Sequence, residues 1–123
     1  MKKFEIYLNT LASTKPEEVV KVNDRVVDVN LNSKNIEIED KENNTKVSQV
    51  QYDCYRVRDL NISVNDIINE LIRNKYSESE ELSILRQRDT KADEFETYNS
   101  YCEDCKTLGK EIYEDIHKWI KEK

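Results

Sequence analysis

The sequence predicts an α+β fold in which an N-terminal antiparallel β-sheet is followed by helices, the last of them a long C-terminal arm. In the first 60 residues, apolar and polar side chains alternate with a period of two between short turns. In residues 61–123, capping residues precede segments whose apolar side chains recur every three or four positions. We therefore expect a single domain over residues 1–123, with a β-sheet half at 1–60 and a helical half at 61–123 that carries a dimerisation arm.

The first half contains four segments that alternate as strands do. The first holds Phe4, Ile6 and Leu8, and the others span residues 25–31, 34–40 and 45–58. Turns are predicted at Asn32–Ser33 and Lys41–Asn44, and such short connections indicate antiparallel hairpins. The apolar face changes within residues 45–58, which predicts a bulge in that strand. Residues 15–22 stay open between a connector and a short helix.

The second half contains three predicted helices. Ser63 is a suitable N-cap for a helix over 64–73, and Ser77 with Glu80 forms a capping-box motif that opens a helix through Gln87. Thr90 and Asp93 are the predicted caps of the final helix, which should run from Ala92 to about residue 121.

The final helix carries a seam of apolar or small residues with steps that alternate between three and four. They are Phe95, Tyr98, Cys102, Cys105, Gly109, Ile112, Ile116 and Trp119. This spacing is typical of coiled coils, whose seams are covered by a partner helix. A helix of about 30 residues spans roughly 45 Å, which is too long for a domain of this size to cover. We therefore expect a homodimer or a higher homo-oligomer.

Composition excludes several classes of partner. The net charge of −6 argues against binding a nucleic-acid polymer, since that binding depends on basic charge. The N-terminus lacks the apolar stretch of a signal peptide, and no apolar run is long enough to span a membrane. Three cysteines without a secretory signal are typical of free thiols in a reducing compartment, so we expect a cytoplasmic location.

The usual motifs of catalysis and cofactor binding are sparse. Cys102 and Cys105 form a CxxC that could supply half of a zinc site, but its position within a helical seam favours buried, inert thiols. His117 is the only histidine, and Gly109 is the only glycine, so the sequence has neither a P-loop nor a dinucleotide-binding fingerprint. We therefore expect no metal, no cofactor and no enzymatic activity.

The arginines are unevenly distributed along the chain. Five of the six fall between positions 56 and 88. Arginine binds phosphate in a bidentate manner and stacks on planar rings, and several aromatic residues lie nearby in sequence. The alternative is that these arginines form intramolecular salt bridges with the abundant carboxylates. The predicted ligand-binding residues are Arg56, Arg58, Arg86 and Arg88 for a pyrophosphate, Phe95 and Tyr98 flanking an adenine, and Asn99 for the base or a ribose.

The tract from Tyr76 to Lys106, with the core LRQRDTKADEFETYNSYCEDCK, resembles a segment of small uncharacterised proteins from phages of Gram-positive bacteria. The layout of the whole chain also resembles the phage Thoeris anti-defence proteins that act as sponges. In that family an N-terminal antiparallel sheet precedes two long helices that embrace a second subunit, and pockets at subunit interfaces bind cyclic ADP-ribose-type signals. Some members also bind cyclic oligonucleotides. The resemblance carries over no individual site residue.

These observations predict a non-enzymatic phage counter-defence protein that sequesters a cyclic ADP-ribose-type immune signal in the host cytoplasm. Its expected partners are the nucleotide, with cyclic oligonucleotides as a possibility, and a second copy of the chain. The alternative is a phage interaction or assembly protein that uses its helical arm to bind another protein.

Overall fold

The computed structural model describes residues 3–121 and confirms the predicted α+β fold. Its elements are β1 (Phe4–Ala12), β2 (Val19–Lys21), β3 (Val27–Asp40), β4 (Thr45–Val57), α1 (Val64–Arg73), α2 (Glu78–Arg86) and α3 (Ala92–Lys121). The described chain divides into two compact units, a sheet unit over residues 3–60 and a helical unit over Asn61–Lys121. That the two halves form a single domain stays a prediction.

The sheet unit is one antiparallel sheet with the strand order β1-β4-β3-β2. Strands β3 and β4 pair along their whole length, from Val27 opposite Val57 to Asp40 opposite Thr45. The two outer strands, β1 and β2, are shorter. Strand β2 pairs only with residues 27–29 of β3, and the pairing of β1 with β4 ends at Ala12 opposite Val50. Residues 36–49 therefore extend beyond both outer strands as a two-stranded ribbon, which we call the hairpin arm.

The prediction of a turn at Asn32–Ser33 is wrong, because β3 continues through these residues with an irregularity. Between the pairs Leu31–Asp53 and Lys34–Gln51, β3 advances by three residues while β4 advances by two. The same shift occurs in β1 between Tyr7 and Thr10. The bulge predicted in the 45–58 strand therefore lies in its two neighbours, and β4 itself alternates without interruption.

A single carboxylate fixes both bulges. Asn9 and Asn32 have φ angles of 56° and 58°, in the left-handed region that asparagine tolerates better than most residues. Asp53, on the strand between them, accepts hydrogen bonds from Asn9 N and Asn32 Nδ2, each at 3.1 Å, through its two carboxylate oxygens. This clamp holds β1 and β3 in register on either side of β4. Along β4 itself, Arg56 and Cys54 lie on one face while Val57 and Tyr55 lie on the other.

Residues 15–22, for which the sequence allows either a connector or a short helix, do not form a helix. This segment runs along β3 and then forms β2, and the buried Asn30 of β3 holds the two residues just before β2. The backbone N–H of Asn30 donates to the carbonyl of Glu18 at 2.7 Å, and its side-chain amide donates to the carbonyl of Glu17 at 2.9 Å. The short helix does not form, because these hydrogen bonds hold the chain in an extended conformation.

The first two helices begin where the sequence predicts. Ser63 Oγ accepts from Asp66 N at 3.1 Å, and Ser77 with Glu80 forms the reciprocal capping box. The predicted caps of α3 are wrong, since Thr90 donates its hydroxyl to the carbonyl of Gln87 and Asp93 lies within the first turn. In the described part of the chain, no helix is both long enough and apolar enough to cross a membrane.

The seam of α3 is covered by the chain itself, which corrects the expectation that it needs a second copy. Its buried members are Tyr98, Cys102, Cys105, Gly109, Ile112 and Ile116. Helix α1 lies against α3 so closely that a Cβ atom built on Gly109 would be 2.6 Å from Ile68 Cγ1. The seam therefore gives no support for a dimer, and the oligomeric state stays a prediction.

Candidate functional site

The seven predicted ligand-binding residues fall into two sets. Arg56 lies on β4 and Arg58 directly follows that strand, whereas the other five lie between the end of α2 and the second turn of α3. Neither unit by itself contains all seven residues.

Arg56 and Arg58 are engaged in salt bridges within the sheet unit. Arg56 donates from Nε and Nη2 to the two carboxylate oxygens of Asp28 at 2.8 and 3.0 Å, and its guanidinium lies 5.6 Å from the ring centroid of Tyr7. Arg58 Nε donates to Glu5 Oε1 at 2.5 Å. For these two arginines the intramolecular alternative is confirmed, and a phosphate would have to displace a carboxylate from each of them.

The hydrogen bonds in this network favour the ionised forms of its carboxylates and guanidinium groups. Tyr7 donates its hydroxyl to Glu5, and this bond, followed by the one from Arg58, lowers the pKa of Glu5. The hydrogen bonds to Asp28 raise the pKa of Arg56 above its ordinary value. Burial raises the pKa of the Cys54 thiol to about 12, and the nearby Asp28 adds to this shift. Cys54 is therefore a protonated packing residue at neutral pH.

Tyr98, predicted to flank an adenine, is buried and already has partners for its ring and its hydroxyl, which leaves little of the ring open to a ligand. Its side chain is 7% exposed, its ring packs edge-on against Tyr76 with 5.2 Å between the centroids, and its hydroxyl donates to Glu81. Burial, followed by that hydrogen bond, raises the pKa of Tyr98 far above its ordinary value. Tyr98 thus joins α3 to the start of α2 as a neutral phenol.

A cluster around Tyr76 and Glu81 holds the three helices of the helical unit together. Arg73, in the last turn of α1, donates to Glu81 Oε1 at 2.8 Å and to the carbonyl of Tyr76 at 3.3 Å. The ammonium of Lys75 lies 4.8 Å from the ring centroid of Tyr101. Sequence reasoning missed this cluster, although the spacing of Tyr98 and Tyr101 on one side of a helix was visible.

The CxxC cysteines are free and buried. Burial raises the pKa of the Cys105 thiol. The preference for packing residues over a metal or redox site therefore agrees with the surroundings of these thiols.

The remaining arginines lie at the α2–α3 corner, which we define as Arg86, Gln87, Arg88, Phe95 and Asn99. Within residues 3–121, neither Arg86 nor Arg88 forms an ion pair, and both are exposed. The carbonyl of Gln87 accepts from the backbone N–H of Lys91 at 2.7 Å, which tightens the turn between the helices. Phe95, half-buried, and Asn99, exposed, follow on successive turns of α3.

An open depression of about 310 Å³ lies on α2 beside this corner. Its lining residues are Ser79, Leu82, Ser83, Arg86 and Gln87, which recur at helical spacing along one side of α2. The surface therefore combines one unpaired guanidinium with two hydroxyls, an amide and an apolar side chain. This combination suits a small, polar, anionic ligand.

Comparisons with protein-family models, with curated proteins and with solved structures found no match for this chain. Its function is therefore inferred from its own side chains and from the resemblance of its layout.

The cluster around Tyr76 and Glu81 makes the free energy of unfolding depend on pH in a way that can be tested. Hydrogen bonds from Arg73 and then from Tyr98 lower the pKa of Glu81 below its ordinary value of 4.5. A carboxyl group with a lowered folded-state pKa stabilises the fold above its unfolded pKa and loses that contribution as the pH falls through the folded pKa. We therefore expect the free energy of unfolding of the wild type to fall below pH 4.5, and to fall less steeply in Glu81→Gln.

Urea unfolding at a series of pH values between 3 and 6 would measure this difference. Glu96→Gln, at an exposed position of α3, serves as the matched control and should keep the wild-type slope. Equal slopes for the wild type and Glu81→Gln would show that Glu81 is not ionised against Arg73 in the folded chain.

Proposed function

We propose that the protein is a non-enzymatic phage counter-defence protein that binds and sequesters a cyclic ADP-ribose-type signal in the host cytoplasm. The observation that supports this most is the pair of unpaired arginines, Arg86 and Arg88, beside an open depression on α2. The resemblance of the chain's layout to the anti-Thoeris sponges suggests the class of nucleotide. The ligand would lie at the α2–α3 corner.

A phosphate could bind the guanidinium groups of Arg86 and Arg88 without breaking a salt bridge among the described residues. A phosphate that approached Arg56 or Arg58 would have to break a salt bridge to Asp28 or Glu5. Arg86 and Arg88 have no such bond to break among the described residues, so the charge-assisted hydrogen bonds they donate would add to affinity. We therefore assign the pyrophosphate to Arg86 and Arg88, while Arg56 and Arg58 remain in their salt bridges.

The size and chemistry of the depression suit the rest of a nucleotide. Small-molecule sites usually have volumes of about 300–1,000 Å³ with a few polar groups in an apolar wall, and this depression lies at the lower limit. Ser79, Ser83 and Gln87 offer hydrogen bonds for ribose hydroxyls, and Leu82 offers an apolar contact. Phe95 and Asn99 are the residues we expect to meet the base.

The surroundings of the candidate nucleophiles support sequestration rather than turnover. Cys54 has its pKa raised to about 12, and Cys102 and Cys105 are buried in the seam. The ring of His117, the only histidine, packs 4.1 Å from the ring of Tyr113 between centroids. A thiol needs a nearby base or a lowered pKa to act as a nucleophile, and Cys54 and Cys105 both show the opposite shift.

Native mass spectrometry with a panel of cyclic nucleotides and ADP-ribose derivatives tests this proposal. We expect one member of the cyclic ADP-ribose type to bind stoichiometrically and to be recovered unaltered after heat denaturation. Silencing a scarce signal requires nanomolar affinity, which corresponds to about −12 kcal/mol. A panel without any binding would contradict the proposal, and a cleaved product on chromatography would show that the protein is an enzyme.

A second candidate, an interaction or assembly protein, is favoured by one observation. Leu82 and Leu85, three positions apart on α2, are 54% and 40% exposed, and adjoining exposed apolar side chains are typical of protein contact surfaces. The helical arm named in this alternative offers less, because the seam of α3 is largely buried. A Leu85→Ser variant that binds nucleotide normally but loses a phage or host protein from a co-purified complex would support this second function.

A further inference from the structure

The outer edge of β3 is uncovered over residues 34–40. Strand β2 covers β3 only at residues 27–29, and the described residues place no other strand beside Lys34–Asp40. Backbone N–H and C=O groups along such an edge are available to pair with another strand. A ribbon of two strands is also only marginally stable in water without further strands or packing.

The sequence of this edge is complementary to itself when it is reversed. Lys34, Ile36, Ile38 and Asp40 alternate along one face of the strand, since side chains in a strand point to opposite faces in turn. If a second copy pairs antiparallel and is centred on Glu37, Lys34 lies opposite Asp40 and Ile36 lies opposite Ile38. One face thus offers an ion pair, two apolar pairs and a second ion pair in succession.

The other face of the same edge tolerates this arrangement. Glu37 would meet its own copy at the two-fold axis, where like charges repel. Lys46 Nζ of β4 lies 3.9 Å from Glu37 Oε2 in each chain, so a positive charge accompanies each carboxylate. The only other residues brought together on this face are Asn35 and Glu39.

We propose that the edge Lys34–Asp40 is a self-association surface, through which two copies of the chain join their sheets about a two-fold axis at Glu37. The occupant of the edge is thus a second copy rather than an unrelated strand, because the charges and the isoleucines match only in the self-paired register. The free stretch of β4, residues 45–49, has one lysine and no acidic residue, so it lacks this complementarity.

Ile38 and Val47 add to the surface from within each chain. They pair across the hairpin arm and are 36% and 43% exposed. Joining two arms would place two such pairs on one face of a four-stranded ribbon. A contact of seven residues per chain is smaller than the usual interface of about 1,200–2,000 Å², so we expect weak association that requires a high protein concentration.

Charge reversal tests the register. Lys34→Asp places two acidic side chains opposite each other in both ion pairs, and Asp40→Lys places two basic ones there. Each variant alone should therefore associate about tenfold more weakly than the wild type. A mixture of the two restores both ion pairs, and sedimentation velocity from about 10 µM to about 1 mM should show the mixture associating as the wild type does. A mixture no more associated than its components would overturn the proposal, as would a monomeric wild type at the highest concentration.

Cross-linking tests the same register with Asp40 intact, because Asp40 also accepts hydrogen bonds from Glu42 N and Asn43 Nδ2. In the proposed pairing the Cα atoms of the two Glu37 residues are about 4.5–5.5 Å apart, within the range for a disulfide. Glu37→Cys should therefore form a covalent dimer under mild oxidation. Glu39→Cys is the matched control, since its copy would lie about 13 Å away. Equal cross-linking of the two variants, or none at position 37, would contradict the two-fold axis at Glu37.

Discussion

Replacing Ile112 by alanine is expected to lower the free energy of unfolding by about 2–5 kcal/mol. Ile112 is fully buried in the C-terminal half of α3, so the substitution removes apolar contacts and leaves a cavity. The matched control is Ile120→Ala on the same helix, where the side chain is 38% exposed, and we expect a loss below about 1 kcal/mol. Chemical denaturation monitored by circular dichroism would measure both values.

The same substitution separates two accounts of the α3 seam. If the chain itself covers the seam, Ile112→Ala weakens the fold without changing the sedimentation coefficient of the folded protein. If a second copy covers it, the loss depends on protein concentration and the variant dissociates. A concentration-dependent loss for Ile112→Ala, or a loss equal to that of Ile120→Ala, would contradict the burial of this residue within one chain.

Replacing Gly109 by valine is the second change with a large expected effect, a loss of about 2–3 kcal/mol or more. Even a single added carbon would lie 2.6 Å from Ile68 Cγ1 and 3.5 Å from the backbone nitrogen of Ile68. The obstacle is the Ile68 side chain, whose Cγ1 adjoins its branched Cβ and cannot easily turn away, whereas the backbone nitrogen at 3.5 Å is in ordinary van der Waals contact. Valine has a better helix propensity than glycine, so the measured loss would come from packing.

Two further variants test that explanation. Lys110→Val places the same side chain on the exposed side of the same turn and should change the free energy of unfolding by less than about 0.5 kcal/mol. Ile68→Ala makes room next to position 109, so the double variant Gly109→Val with Ile68→Ala should be more stable than the two single losses predict. Strict additivity of the two losses would show that Ile68 is not the obstacle.

The helices could be predicted closely because their signals are local. Ser63 and the Ser77–Glu80 capping box lie within one turn of the helices they begin, and α3 covers the predicted Ala92–Lys121. What could not be predicted was the partner of the α3 seam. A spacing of three and four identifies an apolar stripe, but the same stripe suits a helix of the same chain and a helix of another. The contact between Gly109 and Ile68 joins residues that are 41 positions apart.

In the sheet, too, a local sequence pattern was not enough, because a residue distant in the chain decides the structure. Asn32 has the left-handed backbone that its turn-like sequence indicates, but β3 uses it in a bulge and continues. The choice depends on Asp53 of the neighbouring strand, whose carboxylate holds Asn32 and Asn9 together. A residue 21 positions away thus decides between a turn and a bulge.

The candidate site was predicted only in part, because the state of a charged side chain depends on distant partners. Arg56 pairs with Asp28 and Arg58 pairs with Glu5, 28 and 53 positions away. Sequence alone could not separate these paired arginines from Arg86 and Arg88, since all four have carboxylates nearby in the chain. The structure leaves the second pair without an ion-pair partner within residues 3–121, and this difference moves the proposed site to the α2–α3 corner.

Calorimetric titration of the best-binding cyclic ADP-ribose-type nucleotide into matched arginine variants tests the proposed site most directly. Removing one charge-assisted phosphate contact costs about 1.5–3 kcal/mol, so Arg86→Gln and Arg88→Gln should each weaken binding by roughly tenfold or more. Arg25→Gln, at an exposed position of the sheet unit, is the control and should bind as the wild type does. Wild-type affinity in both the Arg86 and Arg88 variants, or no binding to the wild type, would contradict a nucleotide site at this corner.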